Sequence, residues 1–524
     1  MSISRTVVIL LCGALAGGAA SVASAQQGPG ESFSLSLDQA LRIALENNLD
    51  LVSARYGPDF AEQEIQLQLS NFDAGFQASA NRFEQDQAAT QLSTVTGSES
   101  TSVNVGVQKN LRMGADYTVG FGMNRNDQTG PNVVAPTSYV SGFSFEFNLP
   151  ILKGFGSEVT TERLVLAQSD YDISLSDLEA RAENVLELVE GAYWDVIAAR
   201  EALRVSRESL ERARDLLGLN RKKVEVGTLA PIEITQAEAG VASEEEGVIV
   251  AEESLANAED ELRRLLAIPQ DDPRWMQSIV PADRPDFTRR EIDLEATIDT
   301  ALAERPEIIS ARQTVDNRVL NERVAQRLTR HQLDLRATYD PSGASLDTPA
   351  FTDDGPDGIP GTADDIIIEA GTADLNDSIS SAFQREQFTW STALVYSIPI
   401  GNRAAKATYA QARLGREQAE VDLQNEEQTI RVDVRMAVRA VDSGFKRYEA
   451  AAVNVELQRK KLDAEQKKFE NGMSTTFEVR QFQNDLSEAE LSQIRAGLDY
   501  AKALSSLERV KGTLLESRNL SISE

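Results

Sequence analysis

Apolar residues step by threes and fours along two stretches of this chain, and the second stretch copies the first. The earlier passes through Ile234, Ala237, Val241, Glu244, Val248, Ala251, Leu255, Ala258, Leu262 and Leu265. The later passes through Val479, Phe482, Leu486, Ala489, Gln493, Ala496, Tyr500, Ala503, Leu507 and Val510, 245 residues on. This rhythm is the seam of a coiled coil. A longer seam precedes each. One runs from Tyr171 through Val185, Val196, Leu210 and Asn220 to Val224; its copy runs from Ile430 through Val441, Val455 and Leu462 to Phe469. Such stripes mean packing between helices, and here their length carries the information. A helix over residues 159–225 would be roughly 100 Å long at ~1.5 Å per residue, too long for an ordinary globule. A repeat of long helical hairpins fixes the architecture before any local motif is considered.

The duplication reaches further. Leu37, Asp38, Ala40, Leu41, Ala44 and Leu45 recur as Leu294, Glu295, Thr297, Ile298, Ala301 and Leu302. Each set opens a helix with an acidic residue in its first turn, where it suits the helix dipole. Between these short helices and the long hairpins, both halves switch to period two. Phe72, Phe76, Phe143, Phe145, Phe147, Leu333, Leu335, Phe388, Trp390, Leu394 and Tyr396 alternate with polar or small residues. Such runs fit strands of a transmembrane barrel and equally an amphipathic sheet in water. Context favours the barrel, and the few strands of one chain cannot close one alone. Leu149-Pro150-Ile151 and Ile398-Pro399-Ile400 mark the return to helix, since proline disfavours helix at the residue before it. The first insert carries an additional hairpin at about 102–126, which either adds barrel strands or rises outside the membrane. The second carries a long polar loop over 341–384.

The long helices reverse at Val226-Gly227-Thr228-Leu229-Ala230-Pro231 and at Asn471-Gly472-Met473-Ser474-Thr475. Glycine ends each incoming helix. Thr228 or Ser474 is expected to cap the outgoing one, with Pro231 in a first turn. Glu233 and Glu478 each follow their glycine by six residues. Either they merely suit the helix dipole, or symmetry gathers their copies at a narrow mouth.

Composition narrows the function. Arg5, the apolar run over 7–16 and Ala23-Ser24-Ala25 form a signal peptide, residues 1–25. Cys12, the single cysteine, lies inside it, so the mature protein depends on packing or association rather than disulfides. No later segment approaches ~18 continuous apolar residues, so no transmembrane helix is expected. The net charge of −31 argues against nucleic acid as a partner. The lone histidine, His331, has no nucleophile nearby in sequence, and no cofactor motif is present; no enzyme is expected. The stretch 353–365, with Asp353, Asp357 and Asp364 among glycines, reads as a solvated acidic loop or as a Ca²⁺ site. The chain therefore divides into the signal peptide; a first repeat, 26–267, with a β insert at about 72–150 and a hairpin at 157–267; a linker, 268–290; and a second repeat, 291–524, with a β insert at about 332–400, a hairpin at 402–515 and a C-terminal tail.

The opening Leu-Asp-Gln-Ala-Leu-Arg-Ile-Ala-Leu-Glu-Asn-Asn, the duplicated order of strand pair and hairpin, Ile-Pro-Ile-Gly-Asn-Arg, and Val-Gly-Thr at the first tip together resemble the TolC-type outer-membrane efflux proteins. The resemblance implies an α+β membrane protein: a homotrimer in the outer membrane of a diderm bacterium, extending into the periplasm. Four strands per protomer would build a shared twelve-stranded barrel, and twelve helices a periplasmic tunnel. The tips, at Val226, Gly227, Thr228, Leu229, Asn471, Gly472, Met473 and Ser474, would meet a periplasmic adaptor driven by an inner-membrane pump of RND or ABC type. The pore would narrow at Glu478, with Gln481 where relatives can carry a second carboxylate, and Glu233 at the other tip. The implied function is a passive exit duct for efflux or type I secretion, with no cofactor. A trimeric coiled-coil spacer or adhesin is the alternative.

Overall fold

The computed structural model describes residues 32–88, 95–130, 133–353 and 366–522. The expected signal peptide lies outside them. Strand β1 (Ser32–Leu35) leads into α1 (Leu37–Asn47) and α2 (Leu49–Ser70). Four strands follow: β2 (Ala74–Asp86), β3 (Gly97–Asn110), β4 (Asp116–Thr129) and β5 (Thr137–Pro150). After the single turn α3 (Ser157–Thr160) come the long α4 (Glu162–Glu225) and its return, α5 (Ile232–Leu266). The linker holds β6 (Ser278–Pro281), which pairs in parallel with β1. The second half repeats the plan with α6 (Leu294–Glu304), α7 (Pro306–Leu328) and β7 (Gln332–Leu346). Next are the short β8 (Phe351–Asp353) and β9 (Ile366–Ile368), α8 (Leu375–Gln384) and β10 (Gln387–Ser397). The chain closes with α9 (Arg403–Glu470), α10 (Thr476–Lys511) and α11 (Leu514–Ser517).

Helices α4 and α9 are 64 and 68 residues long, or about 100 Å each. Every seam position named above is buried or half-buried. The two halves have matching cores. Val185, Leu186, Val189, Tyr193, Leu262 and Leu266 anchor one against Leu41 and Ile279. Ile430, Val434, Val441, Tyr500 and Leu507 anchor the other against Ile308. The linker is fastened to both. Asp283 accepts from the Leu37 N–H at 2.6 Å and lies 2.9 Å from the Tyr193 hydroxyl, while Phe287 stacks on Tyr448 with ring centroids 4.3 Å apart.

Glu183 lies beneath the C-terminal tail, where its carboxylate accepts the Leu514 N–H at 3.1 Å. Burial pushes its carboxyl up to about 7; Glu179 and Glu307 add to this, and the Leu514 N–H and Arg509 oppose it. An unfolded glutamate titrates near 4.5. The folded state therefore holds the proton more tightly between these values, and stability falls as pH rises from about 4.5 to about 7. Glu183→Gln is expected to raise the melting temperature at pH 8 and to lose that advantage near pH 4.5. Circular-dichroism melts in detergent read this, and an unchanged difference between the two pH values contradicts it.

The strands form one antiparallel sheet in the order β10-β7-β5-β4-β3-β2. The additional hairpin is thus β3 and β4, seated inside the sheet between β2 and β5. Pairing of β5 with β7 joins the two halves of the chain. The stretch 341–384, expected as a long polar loop, is largely structured among its described residues. β7 continues through Pro341 to Leu346, and the segment also holds β8, β9 and α8. Proline is tolerated because the ladder to β5 skips Phe143 and Ser144 at that level, so no donor is needed there. Helix α8 lies flat on β5 and β7. A Cβ on Gly343 would stand 2.2 Å from the Ser378 carbonyl oxygen, so only glycine admits the helix.

Candidate functional site

Two regions carry the sequence-based expectations: the hairpin tips and the sheet. At the tips, Gly227 and Gly472 take φ values of 76° and 75°. In both, the N–H of the following residue reaches back to the helix, Thr228 to the Lys223 carbonyl and Met473 to that of Lys468, each at 2.9 Å. Both halves therefore end their helices with the same left-handed glycine turn.

The caps that form are not the expected ones. Thr228 does not cap α5; its hydroxyl donates back to the Lys223 carbonyl at 3.0 Å, and Pro231 stands before the helix without a side-chain cap. Thr475, not Ser474, caps α10. Its Oγ1 accepts the Glu478 N–H at 3.3 Å while the Glu478 carboxylate accepts the Thr475 N–H at 3.2 Å. The reason is spacing: a capping box needs Glu three residues after the cap, and only Thr475 has one there. Ser474 sits between the carboxylates of Glu465 and Glu478, 2.9 Å from the latter. The hydroxyl of Ser474 and then the ammonium of Lys468 hold the Glu465 carboxyl below the usual range.

Glu478 and Gln481 are exposed. Gln481 donates to Asp485 at 2.8 Å. With Glu488 these form a polar stripe at steps of three and four, a quarter turn round the helix from the seam of Val479, Leu486 and Ala489. The sequence reading missed Asp485 and Glu488, although counting that rhythm on from Glu478 finds both. Glu233 is half-buried, and its carbonyl accepts from the Asn220 side chain at 3.2 Å. The same Asn220 amide donates to the Thr476 hydroxyl at 3.0 Å, so the two tips of one chain are stitched together. Lys223 adds to this by standing 3.9 Å from the Phe469 ring centroid. Val226, Gly227, Thr228, Asn471, Gly472 and Met473 form the exposed end; Leu229 and Ser474 are half-buried. Of the Ca²⁺ candidates, Asp357 and Asp364 lie outside the described residues, and Asp353 ends β8.

The sheet is two-faced across all six strands. Register and alternation put Phe76, Val105, Val107, Val119, Phe121, Phe143, Phe145, Leu335, Tyr339, Trp390 and Leu394 on one side. Gln77, Asn104, Gln108, Thr118, Ser144, Glu146, Thr338 and Ser391 lie on the other. No helix among the described residues is long and apolar enough to cross a membrane. The six strands, 11 to 15 residues each, meet or exceed the ~9–11 residues that a tilted strand needs. One apolar face, one polar face and two helices of about 100 Å suit a subunit anchored in a membrane by its sheet.

The profile of the outer membrane efflux protein family matches residues 116–267 and 297–513, and the chain belongs to that family. It is accordingly an outer-membrane protein whose helices extend into the periplasm. The fold is shared with solved channels. The CmeC outer membrane channel of Campylobacter jejuni has a TM-score of 0.62 at 17% identity, covering 93% of this chain and 87% of that one. The outer membrane protein VceC of Vibrio cholerae has a TM-score of 0.61 at 13% identity, covering 91% and 96%. The open-state MtrE channel of Neisseria gonorrhoeae has a TM-score of 0.59 at 16% identity, covering 91% and 89%. No curated protein is a significant sequence match.

Proposed function

We propose that three copies of this chain close into one passive exit duct of a tripartite efflux or type I secretion system. The observation that carries this reading is the condition of the two flanks. On one, α2 runs into the edge strand β2; on the other, the edge strand β10 runs into α9. Each flank leaves a row of backbone groups unpaired, which inside a membrane only closure satisfies. Each also leaves an apolar stripe uncovered: Tyr56, Phe60 and Leu67 on α2, and Leu414, Val421 and Met436 on α9. β2 and β10 run in opposite directions, so a second copy fits antiparallel at either edge. The exposed tip residues are the docking end for a periplasmic adaptor and its inner-membrane pump, and the acidic stripe of α10 faces the bore.

Three copies of Glu478 would then ring the mouth, with Gln481 one turn on and Glu233 behind the first tip. Like charges gathered on an axis attract cations and are blocked by multivalent ones. The informative variant is Glu478→Gln, because glutamine keeps the capping box while removing the charge. Light scattering in detergent is expected to give the trimer mass. In planar bilayers Glu478→Gln is expected to weaken block by trivalent cations several-fold. A stable monomer rejects the duct, a non-conducting trimer favours the spacer, and unchanged block moves the constriction away from Glu478.

A further inference from the structure

We propose that the trimer closes an eighteen-stranded barrel as wide as the helical tunnel beneath it, so that the exit has no neck at the membrane and admits polymer-sized solutes. This rests on the trimeric duct above. Each protomer brings six strands to one sheet, and three copies supply the eighteen. β3 and β4 are full members of that sheet. Each is 14 residues long, as β5 is, and they pair in register from Gly97 opposite Thr129 to Asn110 opposite Asp116. Their apolar side, with Val103, Val105, Val107, Val119, Phe121 and Met123, continues that of the flanking strands.

The lower turn of the hairpin is built into the junction between barrel and helices. The Asn110 side chain donates to the Asn71 carbonyl at 3.0 Å, and the Gly156 N–H donates to the Met113 carbonyl at 3.0 Å. Ala115 is fully covered, and a Cβ on Gly114 would stand 2.7 Å from the Gly154 carbonyl. No helix hangs from this turn. Six strands therefore stand above four helices, α2, α4, α7 and α9.

The widths agree. Strands ~4.8 Å apart and tilted by ~40° each take ~6 Å of circumference, so six cover ~38 Å. Four helices packed ~8–10 Å apart cover ~32–40 Å. Four strands alone would cover only ~25 Å and force a taper. The polar face also has gaps at mid-height, with Gly106 opposite Gly120 and Gly122 opposite Gly142. Barrels of this strand number leave an open aqueous channel.

The test measures the largest polyethylene glycol that enters the reconstituted full-length channel from the extracellular side of a planar bilayer. A variant lacking residues 97–129 is the comparison. The full chain is expected to admit glycols of about 1.5-fold greater radius, since barrel diameter grows roughly linearly with strand number. Equal radii overturn the wide barrel. If the shortened chain does not fold, Val105→Cys carrying a polarity-sensitive dye decides the matter. Quenching by brominated lipid tails supports a hairpin inside the wall; no quenching overturns it. The mass in detergent separates the two readings. A monomer defeats the duct, whereas a trimer with equal radii defeats only the wide barrel.

Discussion

Val105→Arg is expected to abolish insertion into the membrane, while Asn104→Arg, one residue away, leaves it intact. Val105 lies near the middle of β3, opposite Ala78 on β2 and Phe121 on β4, on the apolar side of the sheet. An arginine facing lipid at the bilayer midplane costs ~2–4 kcal/mol per chain. Three copies would carry that cost together, enough to cancel a large part of the stability of an ordinary domain. Asn104 points to the other side, among Ser79 and Gly122, where a charge meets water. The readout is refolding yield into lipid vesicles as a function of urea. Equal yields for the two variants would remove β3 from the membrane wall.

Phe60→Asp is expected to leave the single chain folded and to prevent its assembly. Phe60 is 75% exposed in one chain, and it shares a stripe with Tyr56 and Leu67 on the flank that ends in β2. A carboxylate buried there at a copy-to-copy contact would be unpaired, which is far costlier than a lost methylene. Leu266→Ala provides the contrast. Leu266 is fully buried within one chain, beside Leu186 and Ile279, and its truncation is expected to cost ~2–5 kcal/mol before any assembly. Far-ultraviolet circular dichroism with mass measurement distinguishes them. Phe60→Asp keeps its helical melt and loses the trimer, whereas Leu266→Ala lowers the melt itself. A normal trimer from Phe60→Asp would show that α2 does not lie between copies.

Much of this architecture is written in local patterns. The seam through Val185 and Val196, and its copy through Val441 and Val455, give the long helices directly, because helix faces repeat within a turn or two of the chain. Gly227 and Gly472 give their ends for the same local reason. What stayed hidden depends on distant partners. Whether the 102–126 hairpin joined the sheet is decided by β2 and β5, and strand pairing is not encoded within the strand. The half-burial of Glu233 depends on helix α4 and on Asn220, which bonds its carbonyl. α8 reads as loop because its ten residues are mostly polar; its seat depends on Gly343 in another element. The Thr475 cap is legible through Glu478, since a capping box needs its glutamate three places after the cap and Ser474 has none there.

The place of the β3–β4 hairpin has a consequence for how such a protein can change over generations. A hairpin leaves the sheet where it entered, so its gain or loss reverses no flanking element and disturbs neither edge. A single strand could not be gained this way: it would turn every later element upside down and bring two edges together that point the same way. Girth can therefore evolve in whole hairpins, one per chain, while the helices, the tips and whatever docks on them stay as they were. The part of the molecule that lies in the membrane is free to vary independently of the helical part below it.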